Sequence, residues 1–213
     1  MPPQPATLLR LGGFPAQRRR SPLPPLILLA DVGSDPLPAM ARLPRGSLVL
    51  FRHYGAADRA ERAHRLAAFC RARGLRFLVA GDGALAMAVG ADGLHLPEWL
   101  ARGPVSRGWA WRRRKPGWLL TASAHSETAL ARAAAFGADA VLLAPLFPTP
   151  SHPGAKTLGV LRFARFAHNA AVPVYGLGGI GPATIRRLRG SGAAGVAVLS
   201  ALADKKPGEG PRH

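Results

Sequence analysis

Cysteine, acidic residues and long apolar runs are all scarce in this chain, and each shortage excludes something. Cys70 is the single cysteine among 213 residues, so no intramolecular disulfide can form. The apolar run 26–30 ends at Asp31 and falls far short of the roughly 20 residues that a membrane span needs. Arg18, Arg19 and Arg20 precede it like the start of a secretory leader. No cleavage-type site follows, so the sequence reads as cytoplasmic. No G-x-G-x-x-G follows the first apolar run, where Ala30-Asp31-Val32-Gly33 stands instead. That argues against a dinucleotide-binding sheet.

Acid is the most telling shortage: 11 Asp and Glu stand against 29 Lys and Arg, a formal charge of +18. A polyanion such as nucleic acid is one partner such a charge fits. No nucleic-acid-binding module accompanies it, and the basic residues are dispersed. The expected partner is therefore an anionic small molecule, without nucleic acid or membrane. With 48% hydrophobic residues the chain holds enough apolar material for one sizeable core.

That material recurs in a rhythm. Eight short apolar runs occupy 26–29, 48–51, 77–80, 93–96, 118–120, 140–143, 173–177 and 195–199. Continuous rather than alternating runs suit strands buried on both faces, as in parallel sheets. Helical patterns lie between several of them. In 57–73, Ala60, Ala63, Leu66, Ala67 and Cys70 keep helical spacing up to Gly74. There Cys70 reads as a small buried hydrophobe, with nucleophile as the alternative. A second helix is expected over 126–136 behind an imperfect capping box at Ser126. A third follows Gly181-Pro182 and runs to about Gly190. The segments 36–43 and 97–102 hold only a turn or two.

Eight buried strands alternating with helices predict a single α/β domain, a (βα)8 TIM barrel with some shortened helices. Such barrels usually need about 250 residues, so this one is compact. We place it over 23–203. Residues 1–22, rich in Pro and Arg, are expected to be a flexible tail with a short helical piece over 7–11. Residues 204–213 are expected to be a second flexible tail. The basic aromatic stretch 109–118 could be a subunit contact, a lid or a solvated loop, and a homo-oligomer is left open.

Barrel active sites form at the carboxyl ends of the strands. The polar residues that follow each run are the candidates: Arg52 and His53, Asp82, His95, Ser123 and His125, then Thr149, Ser151 and His152. Gly176-Leu177-Gly178-Gly179-Ile180-Gly181-Pro182 is a glycine turn that can aim backbone N–H groups at an anion. The run 195–199 with Ser200 and Ala201 follows at the interval of a shared phosphate site between strands seven and eight.

Several motifs together resemble the thiamin phosphate synthase/TenI family. Ala91-Asp92-Gly93-Leu94-His95-Leu96 is similar to A-D-G-V-H-L, and Thr121-Ala122-Ser123-Ala124-His125-Ser126 to G-x-S-x-H-S/T. Pro145-Leu146-Phe147-Pro148-Thr149-Pro150-Ser151 resembles G-P-V-F-P-T-x-T/S. Gly178-Gly179-Ile180 resembles G-G-I, and the segment from Gly195 to Ala201 resembles G-V-A-V-V-S-A. Order and spacing agree from Ala91 to Leu202. The resemblance implies a thiazole phosphate bound at Gly178, Gly179, Ser200 and Ala201, with Arg52, Ser123, Thr149, Ser151 and Lys156 binding substrate. The family's synthases join a pyrimidine diphosphate to the thiazole phosphate and release pyrophosphate with Mg²⁺. Its TenI-type members isomerise the thiazole without metal, using a histidine as acid–base.

The sequence departs from the synthase pattern in the first half of the mouth. Q-x-R-x-K after strand two is Leu50-Phe51-Arg52-His53-Tyr54. N-D after strand three is Gly81-Asp82-Gly83, and G-Q-x-D after strand four is Pro97-Glu98-Trp99-Leu100. His152 stands where the synthases have lysine, with Lys156 nearby. The expectation is therefore a TenI-like isomerase without cofactor, with His125 and His152 as its acid–base residues. The first alternative is a true synthase in which Asp82, Glu98, Arg52 and Lys156 replace the missing groups, Asp82 serving Mg²⁺. The second is a non-catalytic paralogue that binds a phosphate ester or a nucleic acid.

Overall fold

The computed structural model describes residues 5–14, 21–31, 35–102, 110–111, 113–149 and 154–199. Eight parallel strands form a closed barrel in chain order. They are β1 (Leu26–Ala30), β2 (Leu48–Phe51), β3 (Arg76–Ala80), β4 (Gly93–Leu96), β5 (Leu119–Ala124), β6 (Ala140–Leu143), β7 (Val174–Leu177) and β8 (Gly195–Leu199). The ring closes where Leu26, Ile27, Leu28 and Leu29 pair with Val196, Ala197, Val198 and Leu199. β5 runs past its apolar start through Thr121 and Ser123. Those hydroxyls find partners inside the barrel, so the strand tolerates them.

Alternation along each strand divides the core into two layers. Ile27, Leu29, Leu50, Leu78, Leu142 and Tyr175 fill the barrel interior. Leu28, Val49, Phe77, Val79, Leu94 and Val198 face outward and pack with helical residues such as Leu66, Leu130 and Phe163. Both faces of a strand are therefore dry, which explains the continuous apolar runs. Tyr175 brings a hydroxyl into the interior and satisfies it by donating to the Leu23 carbonyl at 3.0 Å.

The longest helix, α3 (Arg59–Arg73), follows α1 (Pro5–Gly12) and α2 (Leu37–Ala41) and buries Ala63, Leu66, Ala67 and Cys70. Their spacing makes one apolar stripe. Burial pushes the Cys70 thiol up to about 12, so it is a packing residue and not a thiolate nucleophile. α4 (Gly83–Ala88) and α5 (Glu98–Ala101) are short. They are followed by α6 (Glu127–Ala135), capped by the Ser126 hydroxyl on the Ala129 N–H, and α7 (Gly159–Asn169). After β7, α8 (Pro182–Ile185) passes into a 3₁₀ turn over Arg186–Leu188.

One expectation needs correction and a second needs refinement. The amino-terminal segment is not simply a tail: α1 packs against α8, and Leu8 and Phe14 join the core. In the described part of 109–118, residues 110 and 113–117 are exposed, as in a solvated segment, but the two tryptophans are half-buried. Trp111 and Trp118 stack with ring centroids 6.0 Å apart and pack on the outer core. The Trp111 ring lies against Gly83 at the start of α4, covering surface that this short helix leaves open. Residues 204–213 lie outside the described residues. Among the described residues no helix is long and apolar enough to cross a membrane.

Gly93 begins β4 beside Leu119 of β5, and a Cβ there would collide with the Leu119 backbone. Backbone cannot move aside as a side chain can. Gly93→Ala should therefore cost about 1–3 kcal/mol or more, read as a fall in the thermal midpoint. An unchanged midpoint would show that β4 and β5 are not in this register.

Candidate active site

Several strands release polar residues at their carboxyl ends, so the barrel mouth collects them from around the ring, while Asp92 and Asp139 hold the N–H groups of Phe77 and Leu120 at the other end. Asp31 leaves β1 and Arg52 leaves β2, and they form an ion pair at 3.1 Å with both side chains about a quarter exposed. His95, inside β4, is buried. Its Nδ1 lies 2.9 Å from Thr121 Oγ1 and its Nε2 lies 2.8 Å from Ser123 Oγ. Burial, helped by the positive charge of Arg52, pulls its pKa down to about 3. The ring is thus a neutral strut across β4 and β5, with one hydroxyl on each nitrogen. The substrate candidate Ser123 is one of those hydroxyls.

His125 stands at the rim just beyond β5. Its Nδ1 lies 2.6 Å from Glu98 Oε2, and its backbone N–H donates to the same oxygen at 2.8 Å. Arg102 holds the other oxygen of Glu98 at 2.9 Å. Burial pushes the Glu98 carboxyl upward, but the hydrogen bonds from Arg102 and His125 outweigh it and leave its pKa below the ordinary value. An ionised carboxylate therefore fixes the imidazole at one nitrogen and leaves the other for proton transfer. The sequence offered Glu98 only as a stand-in for a metal-linked aspartate. Its place one residue into α5 brings it across to β5 instead.

Two strands further round the ring from β5, the turn after β7 is built on the loop after β6. Leu146 and Phe147 donate to the carbonyls of Leu177 and Gly178 at 2.8 and 3.1 Å. Gly178 and Gly179 take φ of +96° and +63°, and a Cβ on Gly179 would run into Phe147 and Pro148. Only glycine suits both the conformation and the space. Thr184 folds the turn over by donating to the Gly179 carbonyl at 2.8 Å and accepting from Gly181 N–H at 2.9 Å. Thr149 follows Pro148 in the same loop. Lys156 is exposed further along it, where Leu158 returns to donate to the Pro145 carbonyl at 3.0 Å. Ser151, His152, Ser200 and Ala201 lie outside the described residues.

Two residues at the rim were not expected from sequence. Asp31 had read only as the end of an apolar run, and Arg59 had not been singled out. Arg59 reaches over the end of β3. It donates to the Ala80 carbonyl at 2.6 Å and pairs with Asp82 at 3.1 Å. His53 is buried and stacked on Phe51, centroids 4.9 Å apart, so it does not stand open to the mouth. Burial and the nearby Arg62 lower its pKa.

A closed parallel barrel whose polar residues gather at the carboxyl ends of its strands is a (βα)8 barrel of the enzyme type. This chain belongs to the thiamine monophosphate synthase family, whose model matches residues 39–202. A thiamine-phosphate synthase of Thiobacillus denitrificans is 39% identical over 149 residues, covering 70% of this chain and 69% of that protein. A relative from Geobacter sulfurreducens is 37% identical over 65% of this chain, and the match spans 64% of its own length. The thiamine phosphate pyrophosphorylase of Pyrococcus furiosus superposes with a TM-score of 0.70. That match covers 85% of this chain and 88% of that one, and at 23% identity it shows the shared fold.

The synthases of this family use Mg²⁺, and the carboxylates at this mouth do not suit it. Asp82 accepts the Leu85 N–H at 2.9 Å with one oxygen and pairs with Arg59 through the other. Asp31 is paired with Arg52, and Glu98 with Arg102 and His125. Mg²⁺ needs carboxylate oxygens free of competing cations.

The lowered pKa values of His95 and His53 set an acid response. The unfolded chain protonates these rings near pH 6.5, whereas the folded His95 stays neutral down to about 3. Their contribution is complete above pH 6.5 and is lost as pH falls below it, down to about 3 for His95. Each such ring steepens the loss by about 1.4 kcal/mol per pH unit. Urea unfolding between pH 7 and pH 4 should show this slope, and His95→Gln should flatten it. Equal slopes would mean that His95 is not held neutral.

Proposed function

We propose that this chain is a thiamine-phosphate synthase-type transferase, which joins a pyrimidine diphosphate to a thiazole phosphate and releases pyrophosphate. The observation that carries the reading is the family match over 39–202, which runs through both the glycine turn and the strand-five motif. The names of the relatives also weigh toward transfer and against the isomerase first expected from the sequence. In this reading the thiazole phosphate lies on Gly178 and Gly179, and the family resemblance adds Ser200 and Ala201, which lie outside the described residues. Thr149 and Lys156 bind it from the loop after β6, with Ser151 assigned by the resemblance alone, and Arg52 meets the diphosphate from β2. The substituted carbon passes from the diphosphate oxygen to the thiazole nitrogen, and pyrophosphate departs toward the arginines. A cytoplasmic location, without a membrane or nucleic-acid partner, goes with this reading.

A specific observation favours thiazole isomerisation as the second reading. The Glu98–His125 pair is a carboxylate-oriented imidazole at the rim, the arrangement that proton transfer between two positions of a small ring requires. His152 would be its second acid–base candidate.

One assay separates the two. Supplied with both precursors, the protein should form thiamine phosphate and release pyrophosphate, measured with Mg²⁺ and with chelator. Tautomer exchange without any pyrophosphate would replace the transferase reading with the isomerase. For the isomerase, His125→Ala should slow exchange by about 10²- to 10⁴-fold and leave thiazole phosphate binding intact. Gly179→Ala should do the reverse, weakening that binding about tenfold or more because its Cβ reshapes the turn. Unaltered affinity in Gly179→Ala would move the phosphate site elsewhere.

A further inference from the structure

Resting on the transferase reading, we propose that the Arg59 guanidinium is a built-in cation at Asp82. The rim between β2 and β3 then binds the diphosphate end of the substrate without a divalent metal.

Four features of this corner support it. Both oxygens of Asp82 are engaged, one capping α4 through the Leu85 N–H and the other on Arg59 Nη1 at 3.1 Å. The guanidinium is fixed in place. Its Nη2 donates to the Ala80 carbonyl at 2.6 Å, and its carbon lies 5.7 Å from the Phe51 ring centroid and 5.9 Å from that of Tyr54. The side chain is only 17% exposed, so the charge is held at the rim rather than swinging in solvent. Its Nε is buried and has no hydrogen-bond partner.

A cation pinned on a carboxylate at the end of β3 has the position and sign that a metal bridging Asp82 to a diphosphate would have. A divalent ion placed on the same oxygens would face the guanidinium at close range, and like charges there repel. Arg52 leaves the neighbouring strand end, where it is held by Asp31 in the same manner. Two arginines at adjacent strand ends, each fixed by its own carboxylate, match a ligand with two linked phosphates. Guanidinium groups pair with such oxygens through several donors at once. The Arg59–Asp82 pair is thus read as half of a diphosphate clamp rather than as a surface ion pair that merely tethers α3 to β3.

The probe is inorganic pyrophosphate, titrated calorimetrically into the purified full chain in chelator and again with Mg²⁺. The wild-type protein should bind it in chelator, with little gain from Mg²⁺. Arg59→Gln should weaken binding about tenfold or more in chelator and regain part of it with Mg²⁺, because Asp82 is then free. Arg59→Lys keeps the charge and should fall between the two. Thermal melts check that each variant is folded, and inorganic phosphate titrated into the same samples reports the glycine turn, which should not change. The proposal is overturned if the wild type needs Mg²⁺ to bind, if it binds in neither condition, or if Arg59→Gln binds pyrophosphate as well as the wild type. Failure of the precursor assay with this binding pattern intact would reject the transferase reaction and keep the clamp. Turnover that requires Mg²⁺ would reject the clamp and keep the reaction.

Discussion

Closing eight short strands into one ring dries both of their faces, and the rest of the molecule follows from that. A strand with no wet face has nowhere to place a polar group except at its ends or against a partner. Leu26–Ala30, Leu48–Phe51 and Ala140–Leu143 hold no polar side chain at all. Where polar groups do enter, they come paired: His95 with Thr121 and Ser123, and Tyr175 with Leu23. The ring therefore sorts the sequence. Apolar residues line the walls, and charged residues are left to the two rims, Asp92 and Asp139 at the amino end and Asp31, Arg52 and Asp82 at the carboxyl end. The mouth of this barrel is a consequence of its closure as much as of selection for any one reaction.

Charge balance then decides what the rim can be. Acidic residues number 11 against 29 basic ones, so a carboxylate at the rim meets an arginine more readily than it stays open. Asp31, Asp82 and Glu98 each have one. The pairs do not offer much stability, since partly exposed ion pairs contribute at most about 1 kcal/mol. Their effect is positional. Each carboxylate fixes the direction of a guanidinium or an imidazole that would otherwise sample many rotamers, and a fixed donor loses less entropy when an anion arrives. A basic composition thus becomes a set of cations with fixed directions.

The fold was legible in the sequence because its signals are local. A run of apolar residues says that both faces are buried, and Gly74 and Ser126 mark helix ends by their own chemistry. The glycine turn after β7 was legible for the same reason. The packing of α1 was not, because a Pro- and Arg-rich segment carries too short an apolar stripe to reveal what Leu8 and Phe14 touch. Nor was the work of Trp111, which depends on how little surface α4 covers. At the rim the difficulty was distance along the chain. Glu98 meets His125 across 27 residues and Arg59 meets Asp82 across 23. Nothing local in either residue indicates a partner.

The two sides of the mouth were built by different means, and this bears on the chemistry. The side after β6 and β7 is backbone: Gly178 and Gly179 present main chain, and their conformation is enforced by Phe147 and Pro148. Such a site tolerates change in surrounding side chains but not at the glycines. The side after β1 to β3 is made of side chains, and one substitution there can exchange a metal ligand for an arginine partner. In the proposed reading, the phosphate end can therefore stay fixed while the cationic end is rebuilt. With Asp82 already neutralised by Arg59, departing negative charge would be met by guanidinium groups that are in place before the substrate binds. Such a preorganised cation does not have to be recruited from solution, but it cannot shed ligands to follow the leaving group as a metal ion can. A slow release of pyrophosphate is the cost that such a rim would carry.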